Sequence, residues 1–184
     1  MLAIAFQFRA SRFHATQWGR HVNEGVPEWP PSPWRILRAI VSVWARTLPE
    51  VPYTTVVPML ERLAAELPSF HLPVATTAHT RHYMPWEKKG PDDRTLVLDP
   101  FVVTEPKAAV AAIWRQADLT SGEREVLAKL LANLGYLGRA ESWCDAQLVD
   151  SPPKANCFPM EGDATPAGAW EITRGLLPKS PLRL

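Results

Sequence analysis

Residues 30–48 read PPSPWRILRAIVSVWARTL, and this stretch predicts the first helix of the fold. Ser32 supplies the hydroxyl favoured at a helix N-cap, and Pro33 follows at the first helical position, where its missing N–H costs nothing. Apolar residues then recur every three or four positions, as in a helix packed on a core. These residues are Trp34, Leu37, Val41, Trp44 and Leu48. Pro49 ends the helix.

The residues before this helix predict a strand followed by a long loop. Residues 2–9 (LAIAFQFR) alternate between large apolar side chains and smaller or polar ones, the period of a half-buried strand. Residues 11–31 have no sustained periodicity and contain two glycines and three prolines. We therefore expect a loop between the strand and the helix.

The residues after the helix continue a mixed pattern of helices and strands. The pattern predicts helices over 55–67, 107–116 and 121–134, strands over 70–74, 95–103 and 142–149, and a protruding loop or hairpin over 79–94. Pro100 marks an edge position or a bulge in its strand. The order indicates an α+β fold, a ferredoxin-like (RRM-like) β-α-β-β-α-β sheet with an inserted helix and a protruding hairpin.

Proline content separates the two parts of the chain. Residues 1–150 hold all the predicted elements and form the predicted domain, whereas six of the chain's 19 prolines fall among small residues after Asp150. Residues 151–184 are therefore interpreted as a Pro-rich linker or arm.

Charge and cysteine content limit the class of protein. The net charge is +1, but residues 1–48 carry six arginines against two glutamates, a local excess that favours a polyanionic partner. The two cysteines are too few for a disulfide framework, so a cytoplasmic location is expected. We expect neither a signal peptide nor membrane association, because no apolar run approaches spanning length.

A first candidate nucleic-acid tract covers residues 9–21. It interleaves basic and aromatic side chains without an acid, a mixture that suits single-stranded nucleic acid through phosphate contacts and base stacking. The candidate contacts are Arg9, Arg12, Trp18, Arg20 and His21. The alternative is that the aromatic residues are core anchors and the arginines lie on an ordinary surface.

A second tract covers residues 79–94 (HTRHYMPWEKKGPDDR), where basic and aromatic side chains again alternate. The candidate contacts are Arg81, His82, Tyr83, Lys88 and Lys89. A zinc site is not expected, because His79 and His82 point to opposite faces of an extended segment and no third ligand is near in sequence.

A third tract, residues 134–139 (LGYLGR), follows a predicted helix. Its two glycines permit close backbone approach to a ligand, and Arg139 is available for a phosphate. The alternative is a plain glycine helix C-cap.

Catalysis is the less favoured interpretation. Metal-independent RNA cleavage needs a general base near the 2′-OH and a cation near the phosphorane; His14 and His21 are the candidate bases. Nothing in their spacing brings them together with Tyr83 or Lys88. No motif for a nucleotide or other cofactor occurs, and none is expected to be needed.

Four stretches together resemble the CRISPR-associated Csb-two family, the fused Cas-five/Cas-six subunit of type I-G (formerly I-U) Cascade. They are residues 19–25 (GRHVNEG), 28–39 (EWPPSPWRILRA), 79–85 (HTRHYMP) and 137–143 (LGRAESW). The resemblance implies a RAMP-superfamily, ferredoxin-like fold similar to the Cas-five-like subunit that caps the 5′ end of CRISPR RNA. It also implies contacts with the backbone and large subunits of Cascade and, through the complex, with target DNA.

The resemblance adds weight to particular residues. Arg20, His21, Arg35, Arg38, Arg81, His82 and Arg139 lie inside the matched stretches and become the favoured RNA contacts. Family members are much longer, and the Cas-six-like half that is expected to cleave repeat RNA does not match any part of these 184 residues.

Three interpretations therefore stand at this point. The first is a non-catalytic CRISPR RNA-binding subunit that holds the single-stranded 5′ handle. The second is a metal-independent endoribonuclease that uses His14 or His21 as a base. The third is a structural assembly subunit whose tryptophans are buried against partner proteins.

Overall fold

A computed structural model describes residues 1–20, 24–85 and 94–160, which form three helices and seven strands. The helices are α1 (Pro33–Thr47), α2 (Tyr53–Ala64) and α3 (Ser121–Ala132). The strands are β1 (Leu2–Phe8), β2 (Arg12–Phe13), β3 (Ser69–His71), β4 (Ala75–Pro85), β5 (Arg94–Thr104), β6 (Ala109–Trp114) and β7 (Cys144–Leu148).

The main sheet has four antiparallel strands in the order β3-β6-β1-β7. Helices α1 and α2 connect β1 to β3, and α3 connects β6 to β7. This order and these connections are those of the ferredoxin-like β-α-β-β-α-β fold. The fold predicted from the sequence is therefore confirmed, and the inserted helix is α2.

Strand β1 lies at the centre of this sheet and follows the predicted alternation. Leu2, Ile4, Phe6 and Phe8 are buried against the helices. Trp114 of β6 lies opposite Leu2 on the same face and donates its indole N–H to the Leu63 carbonyl of α2 at 2.9 Å. The core therefore lies between the sheet and the helical layer.

Helix α1 begins as predicted but turns a partly different stripe to the core. Ser32 is the N-cap and accepts the Arg35 N–H at 3.3 Å. The buried residues are Pro33, Ile36, Leu37 and Ile40, whereas Trp34, Val41, Trp44 and Leu48 are only half-buried. The predicted stripe is confirmed in part: Leu37 is buried, and Val41, Trp44 and Leu48 pack against the margin of the core, whereas Ile36 and Ile40 reach its centre.

Two of the three other predicted helices are confirmed with shifted ends. Helix α2 runs from Tyr53 to Ala64 rather than 55–67, with Pro58 inside it. Helix α3 has a reciprocal capping box between Thr120 and Glu123. Glu123 also accepts a hydrogen bond from Arg62, so the cap of α3 is tied to α2.

The helix predicted over residues 107–116 is wrong. Residues 109–114 form β6, which pairs with β1 on one side and β3 on the other. Its side chains are apolar on both faces, so the alternation that identifies a half-buried strand is missing. The high helix propensity of alanine is overridden here by strand pairing on both sides.

A second sheet contains β2, β5 and β4 in that order. Strand β2 lies inside the stretch predicted as an uninterrupted loop, and its two residues pair with Val102 and Val103. Strands β4 and β5 form the predicted hairpin in continuous register from Ala75↔Thr104 to Pro85↔Arg94. The register is continuous through Pro100 and carries no bulge there. Among the described residues, the part of β5 that extends past β2 pairs only with β4, so Pro100 occupies an edge position.

The chain after β7 returns to the edge of the main sheet. The strand predicted over residues 70–74 is shorter, Ser69–His71, and its Phe70 exchanges two backbone hydrogen bonds with Cys157. The Asn156 side chain bonds both the N–H and the carbonyl of Leu72 at 2.8 Å. Residues 154–157 thus lie bound along β3, although they belong to the predicted Pro-rich arm.

None of the helices in the described ranges combines the length and the apolar content needed to cross a membrane.

Candidate nucleic-acid interface

The β4–β5 hairpin has two distinct faces, because residues paired across an antiparallel ladder lie on the same side. The side that carries the cationic residues of both strands is called the cationic face below. It consists of His79, Arg81, Tyr83 and Pro85 from β4 and Arg94, Leu96, Leu98 and Pro100 from β5. Beyond the base of the hairpin, this face extends away from the core, and Tyr83 is 66% exposed.

The cationic face carries no acidic residue among these described positions. Arg81 donates its Nε–H to His79 Nε2 at 3.3 Å, which leaves the terminal nitrogens of its guanidinium for another partner. Arg94 is exposed at the far end of the strand pair. Two guanidinium groups beside an exposed phenol ring can hold phosphates and stack a base, as single-strand binding requires.

The opposite face is tied to the rest of the domain by Asp99. Its carboxylate accepts a hydrogen bond from Arg139 at 2.8 Å, and His82 Nε2 lies 3.5 Å from it. His14 Nε2 lies 3.9 Å from the same carboxylate. Residues from all three tracts identified in the sequence thus meet around Asp99, which sequence reasoning did not single out.

His14 is buried and neutral at the centre of this group. Its side chain is only 6% exposed, and its Nδ1 lies 2.9 Å from a Glu141 carboxylate oxygen, which places the ring proton on Nδ1. Burial, followed by the charge of Arg139, lowers the pKa of His14, against the opposing effects of Glu141 and Asp99. Its Nε2 has no hydrogen-bond partner among the described residues.

The loop after α3 wraps around the His14 backbone. The His14 carbonyl accepts the Arg139 N–H at 2.9 Å, and the His14 N–H donates to the Ser142 hydroxyl at 2.7 Å. Gly138 has φ +92°, and a Cβ there would stand 2.7 Å from the His14 carbonyl oxygen. The glycine noted in the sequence therefore permits close approach to protein backbone, and it places Arg139 beside the hairpin.

The catalytic candidates do not form a site in the described residues. His14 Nε2 is sealed from solvent, so a substrate hydroxyl cannot reach it in this conformation. His21 lies outside the described residues. Within the described ranges no group of three or more His, Cys, Asp or Glu side chains could hold a metal ion.

Two arginines of the first tract are paired on the surface. Arg9 forms a bidentate ion pair with Asp145, with its shortest contact at 2.5 Å. This pairing raises the pKa of Arg9 and lowers the pKa of Asp145. Arg20 lies 3.0 Å from Glu24. To contact a phosphate, each of these guanidinium groups must therefore either bind it while still paired with its carboxylate or break that ion pair.

Arg35 is held more tightly than Arg9 or Arg20. It donates to both oxygens of Glu28, at 2.7 and 3.0 Å, and Glu28 is 2% exposed. Glu28 also accepts the Ser32 N–H at 2.8 Å. Arg35 therefore fastens the loop before α1 to the helix.

The remaining candidates of the N-terminal half contact aromatic rings or solvent. The Arg12 guanidinium lies 4.9 Å from the centre of the Phe101 ring, and that of Arg38 lies 5.8 Å from the Trp34 ring. Trp18 is 70% exposed. The structure does not place these residues on the cationic face, and Lys88 and Lys89 fall outside the described residues.

Sequence reasoning missed Arg94 as well as Asp99. Arg94 was visible as the last residue of the second tract, but only the register Pro85↔Arg94 shows that it shares a face with Arg81 and Tyr83. Asp99 is the only acid between residues 94 and 104, where β-branched and apolar residues predict a strand. A lone carboxylate inside such a strand was the available signal.

Comparison with known proteins adds little to this geometry. No protein-family model and no curated protein sequence matches the chain. Among solved structures, Cas6 from Thermus thermophilus is similar over 80% of this chain and 53% of that protein, with 15% identity and a TM-score of 0.36. The chain thus spans about half the length of that structure. A likeness this weak carries no argument, and the fold assignment rests on strand order.

Proposed function

We propose that this chain is a non-catalytic RNA-binding subunit of a CRISPR effector complex. The observation that carries the proposal is the cationic face, on which Arg81, Arg94 and Tyr83 project from a two-stranded ribbon and whose described positions include no acidic residue. Guanidinium groups neutralise phosphates, and an exposed aromatic ring offers a stacking surface to an unpaired base. A single strand is favoured because its bases are free to stack.

The CRISPR part of the proposal rests on sequence. The four stretches that resemble the Csb-two family include residues 79–85 of β4 and residues 137–143, which contain Arg139. We propose that the RNA is the 5′ handle of a CRISPR RNA in type I-G Cascade. The backbone and large subunits would be the protein partners, target DNA would be met only in the complex, and the complex would work in the cytoplasm.

The test is binding of the 184-residue chain to a labelled single-stranded CRISPR-repeat RNA and to DNA of the same sequence, across a salt titration. Expected are saturable binding that prefers RNA and a log affinity that falls with log salt by about 0.7 per phosphate contact. The RNA is expected to remain intact on a denaturing gel. Binding to neither strand at low salt would refute the proposal for this chain, and specific cleavage would support the endoribonuclease instead.

A second candidate, a structural assembly subunit, is favoured by one observation. Trp143 and Tyr136 pair across an isolated antiparallel bridge, and they are 61% and 45% exposed. Exposed aromatic rings are enriched at protein interfaces. Co-expression with the backbone and large subunits separates the two candidates: a Trp143→Ala change that abolishes co-purification, while RNA binding stays absent from the isolated chain, would favour assembly.

A further inference from the structure

The hairpin outside its base is connected to the domain through very few polar contacts. Its base is fixed by β2, which pairs with Val102 and Val103, and by the Thr104 N–H, which donates to the Ser11 carbonyl at 2.9 Å. Farther out, the Arg139–Asp99 pair is the last hydrogen bond between the hairpin and another part of the domain within residues 1–20, 24–85 and 94–160.

The strand pair continues well beyond that contact. Asp99 lies opposite Thr80, and five further residue pairs follow, ending at Pro85↔Arg94. At about 3.3 Å per residue, the outer part of the hairpin is about 16 Å long. A rotation of about 10° at Asp99 would therefore displace Arg94 by about 3 Å, enough to break a charge-assisted hydrogen bond.

The Asp99 contact is suited to fix this angle. Its carboxylate is 16% exposed, so water screens the pair with Arg139 only in part. The backbone of Arg139 is fixed, because its N–H donates to the carbonyl of the buried His14 and because the preceding Gly138 allows the close approach. The Arg139 side chain thus starts from an anchored position in the domain, and its hydrogen-bond acceptor on the hairpin is the Asp99 carboxylate.

We propose that Asp99 is the positioning residue of the RNA-binding hairpin: through Arg139 it sets the angle at which Arg81, Tyr83 and Arg94 meet the RNA. This inference rests on the proposed function and adds a residue that lies on the face opposite the RNA. It leads to an unusual expectation. Removal of an acid from a nucleic-acid-binding protein ordinarily reduces repulsion and strengthens binding, whereas removal of this acid is expected to weaken binding.

The test compares Asp99→Ala with Glu105→Gln, which removes an exposed acid that follows β5 directly. The measurement is the affinity of the full 184-residue chain for single-stranded repeat RNA. Asp99→Ala is expected to lower the affinity about three- to tenfold, and Glu105→Gln to leave it unchanged or raise it slightly. If Asp99→Ala does not fold, the isosteric Asp99→Asn replaces it, with the same expected direction.

The decisive readout is non-additivity with the residues that Asp99 positions. In an Arg81→Gln/Arg94→Gln background the Asp99 change is expected to cause no further loss of affinity, because the contacts that it aligns are already absent. The inference would be overturned if the Asp99 change lowered the RNA affinity equally in the wild-type and the Arg81→Gln/Arg94→Gln backgrounds. It would also be overturned if Asp99→Ala bound RNA as tightly as Glu105→Gln.

Amide hydrogen exchange gives a readout that does not require RNA. Asp99→Ala is expected to accelerate exchange in residues 81–84 and 94–98 at least threefold and to leave β1 and β6 unchanged. If the wild-type chain binds no RNA, the proposed function fails, and exchange alone decides whether Asp99 holds the hairpin. Unchanged exchange in the outer hairpin would refute the positioning role in either case.

Discussion

Three arginines of the N-terminal half and two arginines of the hairpin present the same side chain in two different electrostatic settings. Arg9, Arg20 and Arg35 each lie against a carboxylate. Arg81 and Arg94 share a face that carries no acid among its described positions. A count of charges along the sequence treats both groups alike, so the local excess of positive charge in residues 1–48 overstates what that half can offer to a polyanion.

The same comparison separates stabilising from binding roles. Glu28 is buried and accepts three hydrogen bonds, two from Arg35 and one from the Ser32 N–H at the start of α1. The pair therefore closes the loop onto the helix. On the hairpin, no described carboxylate competes with phosphate for Arg81 or Arg94.

The largest expected effect is a loss of stability when the Glu28–Arg35 ion pair is broken. Glu28→Ala is expected to lower the free energy of unfolding by about 3 kcal/mol, because it leaves Arg35 and the Ser32 N–H without their acceptor. Urea denaturation, monitored by circular dichroism, measures this change in the free energy of unfolding. The folded fraction is expected to keep its RNA affinity; a tenfold loss of affinity in the fully folded protein would assign the pair to binding and remove the contrast between the two groups.

The next effect concerns the hairpin. Arg81→Gln with Arg94→Gln is expected to weaken RNA binding about 10- to 100-fold at about 0.15 M salt and to reduce the slope of log affinity against log salt by about 1.4. The matched control is Arg9→Gln with Arg20→Gln, which removes the same charge from paired positions. A change of less than about threefold is expected for that control, measured by fluorescence anisotropy. Equal losses in the two double variants would show that the ion pairs do not distinguish the arginines.

The smallest effect is a pH dependence of stability at the base of the hairpin. Since the pKa of His14 is lowered in the folded protein, the unfolded chain binds more protons below about pH 6.5. Stability is therefore expected to fall as the pH drops below that value, by at most about 1.4 kcal/mol per pH unit from this group. Above pH 7 the group contributes no pH dependence.

Urea denaturation at a series of pH values from 5 to 8 measures this slope. His14→Asn removes the titrating ring and is expected to flatten the curve between pH 5 and 6.5 relative to the wild type. An unchanged slope in the variant would show that other groups cause the acid sensitivity, and that His14 does not remain neutral at the base of the hairpin.

Much of the fold follows from local patterns, and the failures have physical causes. The alternation in residues 2–9 and the Ser32–Pro33 start of α1 are local signals, and both are confirmed. Strand β6 was mistaken for a helix because a strand buried on both faces loses its alternation. The two-residue β2 exists only through pairing with β5, more than 85 residues away, so no local pattern indicates it.

The candidate site was predictable in residue type but not in arrangement. Arg81, His82, Tyr83 and Arg139 were identified from their sequence context, and the hairpin places the first three on alternating faces. Which arginines are neutralised depends on tertiary contacts such as Arg9–Asp145, which joins residues 136 positions apart. Asp99 was missed because its partners, His14 and Arg139, come from distant parts of the chain.

The central claim is that RNA lies on the cationic face. The most direct test is to crosslink the chain to single-stranded repeat RNA with ultraviolet light and to identify the attached peptides by mass spectrometry. Crosslinks are expected in residues 79–85 and 94–98, with Tyr83 among the modified side chains, and Tyr83→Leu is expected to reduce them. Crosslinks confined to residues outside the β4–β5 hairpin, for example at Trp18 or Trp143, would contradict the account.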